Sequence, residues 1–84
     1  GVPQFEISRD KLASGIKVID LLTEEAAVFP SKGELRKLIT AGGLSVNKEK
    51  VASPDDIFSA DQLIAGRYLL VQRGKKSYYL IIAK

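Results

Sequence analysis

The side chains of this chain that can do chemistry are mostly cationic, and they gather in two stretches. Residues 31–50 carry Lys32, Arg36, Lys37, Lys48 and Lys50 against Glu34 and Glu49. Residues 67–84 carry Arg67, Arg73, Lys75, Lys76 and Lys84 and no acid. Residues 1–42 taken together balance six basic against six acidic side chains, so the net charge of +3 understates how polarised the chain is. Two basic segments in a protein of modest net charge point to a polyanion, which lysines and arginines would meet at its phosphates. The competing reading is that solubility alone distributes lysines in this way.

Other chemistries are poorly supplied. The chain has no Cys and no His, which removes thiolate metal sites, disulfides, the usual zinc ligand and the usual general base. Asp55, Asp56 and Asp61 sit among Ser53, Pro54 and Ser59, where turn and cap chemistry accounts for them better than a cation site with its many convergent oxygens. The run Gly74-Lys75-Lys76-Ser77 invites comparison with a phosphate-binding loop. That motif requires Gly where this chain has Leu69 and Ser or Thr where it has Lys76, so nucleotide binding is rejected. No catalytic residue, metal or cofactor is expected. The longest apolar runs, such as Tyr78 to Ala83, fall far short of the roughly 20 residues a membrane span needs. At 84 residues there is room for one small domain, and the absence of Met reads as a piece of a longer protein.

The elements that must position the basic residues follow from spacing. Ser31 with Glu34 three residues on has the form of a capping box, so a helix should begin at Lys32. Leu35, Leu38 and Ile39 fall on its inner face, with Lys32, Arg36 and Lys37 pointing away. Gly42 and Gly43 should end it, and Leu44 and Val46 then read as a strand returning through Asn47-Lys48 to residues 49–51. Upstream, residues 2–8 alternate weakly as a linker or edge strand, and a short helix spans 9–13. A second helix is expected over 17–25, with Ile16, Ile19, Leu22 and Ala26 inward and Val18 and Leu21 widening the stripe. Phe29 should anchor the following loop. Ile57, Phe58, Leu63 and Ile64 are assigned to the core, and two strands should meet at residues 73–76. Leu69 and Val71 share one face of the first of these strands, Leu80 and Ile82 one face of the second. Tyr78 and Tyr79 point to opposite faces, leaving one free to stack on a base or ribose.

The run SKGELRKLITAGGLSVNKEKV resembles the alpha-L RNA-binding motif, whose members typically read S-[KR]-x-x-A-[KR]-x-L-I-x-x-G-x-V-x-V-N-G. The run GRYLLVQRGKKSYYLI, from Gly66 to Ile81, resembles the C-terminal end of bacterial tyrosyl-tRNA synthetases. Together they cover about half of the chain. The resemblance implies an α+β fold, a small alpha-L motif of two or three short helices packed on a small, mainly antiparallel sheet. It implies a single RNA-binding domain over 1–84, with 1–8 as linker or edge strand, 9–65 as motif core and 66–84 as C-terminal hairpin. The implied ligand is tRNA for tyrosine. The implied contacts are Lys32, Arg36, Lys37, Lys48, Lys50, Arg67, Arg73, Lys75 and Lys76 on phosphates, with Ser31 and Asn47 on phosphate or 2′-hydroxyl groups.

The family's HIGH-like and KMSKS-like signatures are missing, so activation of tyrosine would belong to an upstream catalytic domain of a cytoplasmic, homodimeric parent. Lys48 departs from the motif, which has Gly there. A two-residue hairpin needs φ > 0 at both central positions, at a cost to lysine on the order of 1 kcal/mol, so a wider turn is expected. Two alternatives stay open: the same motif from an RNA-modifying enzyme or ribosomal protein, and a module that binds proteins along a sheet edge.

Overall fold

The computed structural model describes residues 2–84, and Gly1 lies outside the described residues. Strand β1, Gln4–Ile7, alternates as its sequence requires, burying Ile7 and half-burying Phe5. Helix α1, Asp10–Ala13, inserts Leu12 into the core and ends before Gly15, whose φ of +85° favours glycine. The helix expected over 17–25 starts one residue later: Ile16–Lys17 form a short strand, β2, and α2 begins at Val18–Asp20 and widens into a π turn over Leu21–Glu25. Its closing bond runs from Ala26 N–H to the Leu21 carbonyl at 2.9 Å, five residues back. That wider turn allows Val18, Ile19, Leu21, Leu22 and Ala26 all to be buried, whereas Ile16, expected inside, is only half-buried.

Helix α3, Lys32–Thr40, begins and ends where its caps and glycines place it. Ser31 Oγ accepts from Glu34 N–H at 3.1 Å, while no return bond from Glu34 is present among the described residues. Leu35 and Ile39 are buried, and Gly43 packs so tightly on Leu38 that an added Cβ would lie 2.6 Å from its Cδ1.

Strands β3 (Leu44–Val46) and β4 (Glu49–Lys50) close the expected ribbon. Its turn is a correction: it stays at two residues despite Lys48, with φ of 53° at Asn47 and 70° at Lys48. The strain is held by contacts distant in sequence. Asn47 Nδ2 donates to the Gln62 carbonyl at 2.7 Å, and Asn47 Oδ1 accepts from Leu70 N–H at 3.0 Å.

Strand β5, Ile57–Phe58, pairs antiparallel with β2, so its two side chains face opposite ways. Phe58 is buried, but Ile57 is 55% exposed, with its Cγ2 over Gly15, and so is not the core residue expected. Leu63 is buried and Ile64 half-buried.

Strands β6 (Tyr68–Arg73) and β7 (Ser77–Ala83) form the C-terminal hairpin, and the main sheet runs β1-β7-β6-β3-β4. All its pairs are antiparallel except β1 with β7. Leu69, Val71, Ile81 and Ala83 face the helices. Leu80 and Ile82 share a face, as expected, and it is the outer one, opposite Leu70 and Tyr68 in register. The buried residues of helices and sheet make one contiguous cluster. The fold is α+β, three short helices on a mainly antiparallel sheet.

Candidate nucleic-acid interface

The turn at the end of α3 draws the basic residues together. Gly74 N–H donates to the Gly43 carbonyl at 2.8 Å, which docks the tip of the β6–β7 hairpin against the chain leaving the helix. Arg73 stands opposite Leu44 in register, and Lys50 stands opposite Ser45 one strand further out. The Lys50 ammonium reaches over Gly42, where an added Cβ would lie 3.4 Å from Nζ. Cations there meet the carbonyl end of the helix, which favours positive charge. Arg36 and Lys37 are exposed on the helix itself, and Lys75 and Lys76 on the hairpin tip.

Arg73 is held in place from below. Its guanidinium carbon lies 5.9 Å from the centroid of the Phe29 ring, a cation–π contact. Phe29, buried as expected, meets Tyr79 edge-on at 6.3 Å, and Tyr79 meets Phe5 at 6.3 Å. Tyr79 is therefore the core tyrosine and Tyr78 the outward one, 38% exposed.

Ion pairing divides the basic residues sharply. Lys11 lies 4.0 Å from Glu25, Lys17 3.5 Å from Asp55, and Lys84 2.6 Å from Glu6. Arg9 turns inward to the Ala83 carbonyl at 3.4 Å. Arg36, Lys37, Lys48, Lys50, Arg67, Arg73, Lys75 and Lys76 have no carboxylate within 4.0 Å among the described residues.

The other candidates are placed differently. Lys32 Nζ lies 3.0 Å from Glu24 Oε1 and 3.2 Å from Asp20 Oδ1, and these partners, Glu24 foremost, raise its pKa above the usual lysine value. Asn47 has both ends of its amide engaged in holding its own turn. The Ser31 hydroxyl oxygen accepts the cap bond, leaving its proton free to donate. Lys48 lies beyond Lys50 at the tip of the β3–β4 ribbon, and Arg67 precedes β6, at the opposite end of that strand from Arg73. Of the aspartates read as turn formers, Asp56 behaves so, its Oδ2 accepting from Ala52 N–H at 3.0 Å and Ser53 N–H at 3.3 Å, whereas the Asp55 carboxylate pairs with Lys17.

Sequence reading missed a polar row across the outer face of the sheet, where Tyr78, Gln72, Ser45 and Lys50 stand side by side on four strands. Only the strand register brings them into line.

Against known proteins, the profile of the Tyrosine–tRNA ligase SYY-like C-terminal domain matches residues 1–81. The chain belongs to that family. A tyrosine–tRNA ligase of Parabacteroides distasonis is 63% identical over 84 residues, and one of Porphyromonas gingivalis 55% identical over the same length, each match covering 100% of this chain. A tyrosine–tRNA ligase of Flavobacterium johnsoniae is 41% identical over 81 residues, or 96% of the chain. The chain spans about one fifth of the length of these relatives: 20% of the first two and 19% of the third. Membership in this ligase family decides between the synthetase ending and the other proteins that carry the alpha-L motif.

Proposed function

We propose that this domain binds the tRNA of a tyrosine–tRNA ligase and positions it for aminoacylation performed elsewhere in the parent chain. The observation that carries the proposal is the division of charge. Lys11, Lys17, Lys32 and Lys84 are matched to carboxylates, while Arg36, Lys37, Lys50, Arg73, Lys75 and Lys76 stand unmatched around the end of α3 and the hairpin tip docked on it. Cations left without protein partners in adjoining elements suit a phosphate backbone, whose condensed counterions they displace. The parent's activity on tyrosine and tRNA is the one its relatives are named for, brought here as part of the proposal.

Two measurements test it. Filter binding of a tyrosine tRNA transcript across a salt series should give a slope of log K against log salt of about −3.5 to −4.5, as expected when roughly five phosphates are neutralised. A flat response sinks the electrostatic reading. In the full-length parent, removing this domain should leave ATP–pyrophosphate exchange with tyrosine close to normal while transfer to tRNA falls sharply, because lost phosphate contacts raise the free energy of the transfer transition state. Equal losses in both assays would mean that the domain supports the catalytic fold instead.

A further inference from the structure

Beside the hairpin tip, at the start of β7, Val2, Pro3, Lys76, Ser77, Tyr78 and Tyr79 line a cleft of about 270 Å³. Leu80 N–H donates to the Pro3 carbonyl at 2.9 Å, which fixes the Pro3 wall against β7. Three large apolar residues are exposed among those described: Val2 at 43%, Tyr78 at 38% and Ile57 at 55%. Two of the three line this one cleft. The same cleft holds Lys76, which has no carboxylate partner, and residues 67–84 contain no acid. Aromatic and aliphatic walls beside an unmatched ammonium suit a ligand that is flat and apolar on its faces and anionic at its edge.

Resting on the RNA-binding reading above, we propose that this cleft receives one unpaired nucleotide of the bound RNA. Tyr78 stacks on its base and Lys76 meets its phosphate. Every base has a π-face, so stacking on tyrosine tolerates any sequence, and it requires a nucleotide free of its own helix. The cleft lies just below the range of about 300 to 1,000 Å³ typical of drug-sized ligands, which suits one ring system. Gln72, directly opposite Tyr78 in register, borders Tyr78 from β6 without lining the cleft. The local excess of positive charge favours RNA over an apolar protein segment as occupant.

The test uses the 84-residue chain with two probes, a tyrosine tRNA transcript and a blunt RNA duplex without unpaired nucleotides, each titrated by fluorescence anisotropy. Tyr78→Ala should weaken tRNA binding by roughly 5- to 150-fold, the span that base–aromatic stacking supports, and change duplex binding by less than about twofold. Tyr78→Phe should bind tRNA as the parent sequence does, because the ring and not the hydroxyl stacks. Tyr78→Leu, which keeps apolar bulk on the strand, should lose as much as Tyr78→Ala. None of the three should alter the salt slope, whereas Lys76→Ala should reduce it by about 1.

Unchanged tRNA binding in Tyr78→Ala, with the normal salt slope of the parent sequence retained, overturns this inference alone and leaves the cleft to a protein surface. Equal losses on both probes overturn it too, since Tyr78 would then be supporting the sheet. Failure of the unsubstituted chain to bind either probe removes the RNA reading and this inference with it.

Discussion

Lys32 and Arg36 stand one turn apart on the same helix, yet one faces two carboxylates and the other faces none. Lys32 is clamped by Glu24 and Asp20 from α2, so its charge ties two helices together. Arg36, together with Lys37 and the cations around Gly42 and Gly74, has no acid within reach among the described residues. A count of basic residues along the sequence treats the two as equals. Charge available to a ligand is what remains after the fold has matched its own, and here the matched side is the helical pair and the unmatched side is the hairpin end of α3.

The sharpest way to break that contrast is to invert the unmatched side. Arg73→Glu, Lys75→Glu and Lys76→Glu together replace three attractions by three repulsions at one hairpin tip. Filter binding should show tRNA affinity falling at least about 100-fold, with the salt slope smaller by roughly 3. Retained affinity would mean that the RNA lies elsewhere on the molecule.

Next in size comes a pair of substitutions on α3. Ile39→Ala removes a fully packed side chain and should cost about 2 to 5 kcal/mol of stability in thermal or urea unfolding. Arg36→Ala should leave stability within about 0.5 kcal/mol and lower the salt slope of tRNA binding by about 1. If the two exchange effects, the helix is rotated from the orientation described.

What was legible in the sequence was what local chemistry decides. Ser31, the Leu35 and Ile39 spacing and the Gly42-Gly43 stop are local signals, and α3 begins and ends where they place it. Phe29 and the split between Tyr78 and Tyr79 were also legible. The core face of β7 was not, because residues 78–83 are almost uniformly apolar and offer no alternation. It is chosen by the β6 and β1 registers and by the rings of Phe5 and Phe29 on Tyr79. The same limit hid the Lys32 clamp, whose partners lie 8 and 12 positions upstream across a loop, and the π turn that brings them to the right side. The Asn47-Lys48 turn stayed tight because Gln62 and Leu70, both far along the chain, hold the Asn47 amide.

That turn supplies a smaller test. Lys48→Gly relieves a left-handed lysine worth roughly 1 kcal/mol, offset in part by the greater freedom of glycine in the unfolded chain, so stability should rise by a few tenths of a kcal/mol. The same change deletes an unmatched cation, and the salt slope of tRNA binding should fall by as much as 1. A gain in stability without loss of slope would remove Lys48 from the interface while leaving the turn as described.

The smallest effect is expected at Lys32, where the contrast is most exposed to refutation. Its ammonium is held by Glu24 and Asp20, and their hydrogen bonds raise its pKa above the ordinary lysine value. A raised folded-state pKa means that the charged form is favoured by folding. The resulting stabilisation is fully present below the unfolded-state lysine pKa and disappears as pH rises through the folded-state value. Lys32→Met should therefore be slightly less stable than the parent sequence by the same margin at pH 6 and pH 8. The two should converge in strongly alkaline solution, where differences in urea midpoints between them cancel the titration of the tyrosines they share. Binding of tRNA should change by less than about twofold, because a clamped ammonium must give up two carboxylates before it can reach a phosphate. A loss of salt slope as large as that of Arg36→Ala would show that RNA draws Lys32 out of its clamp. Both ends of α3 would then belong to the interface, and Glu24 and Asp20 would act as competitors for the phosphate rather than as permanent partners of the lysine.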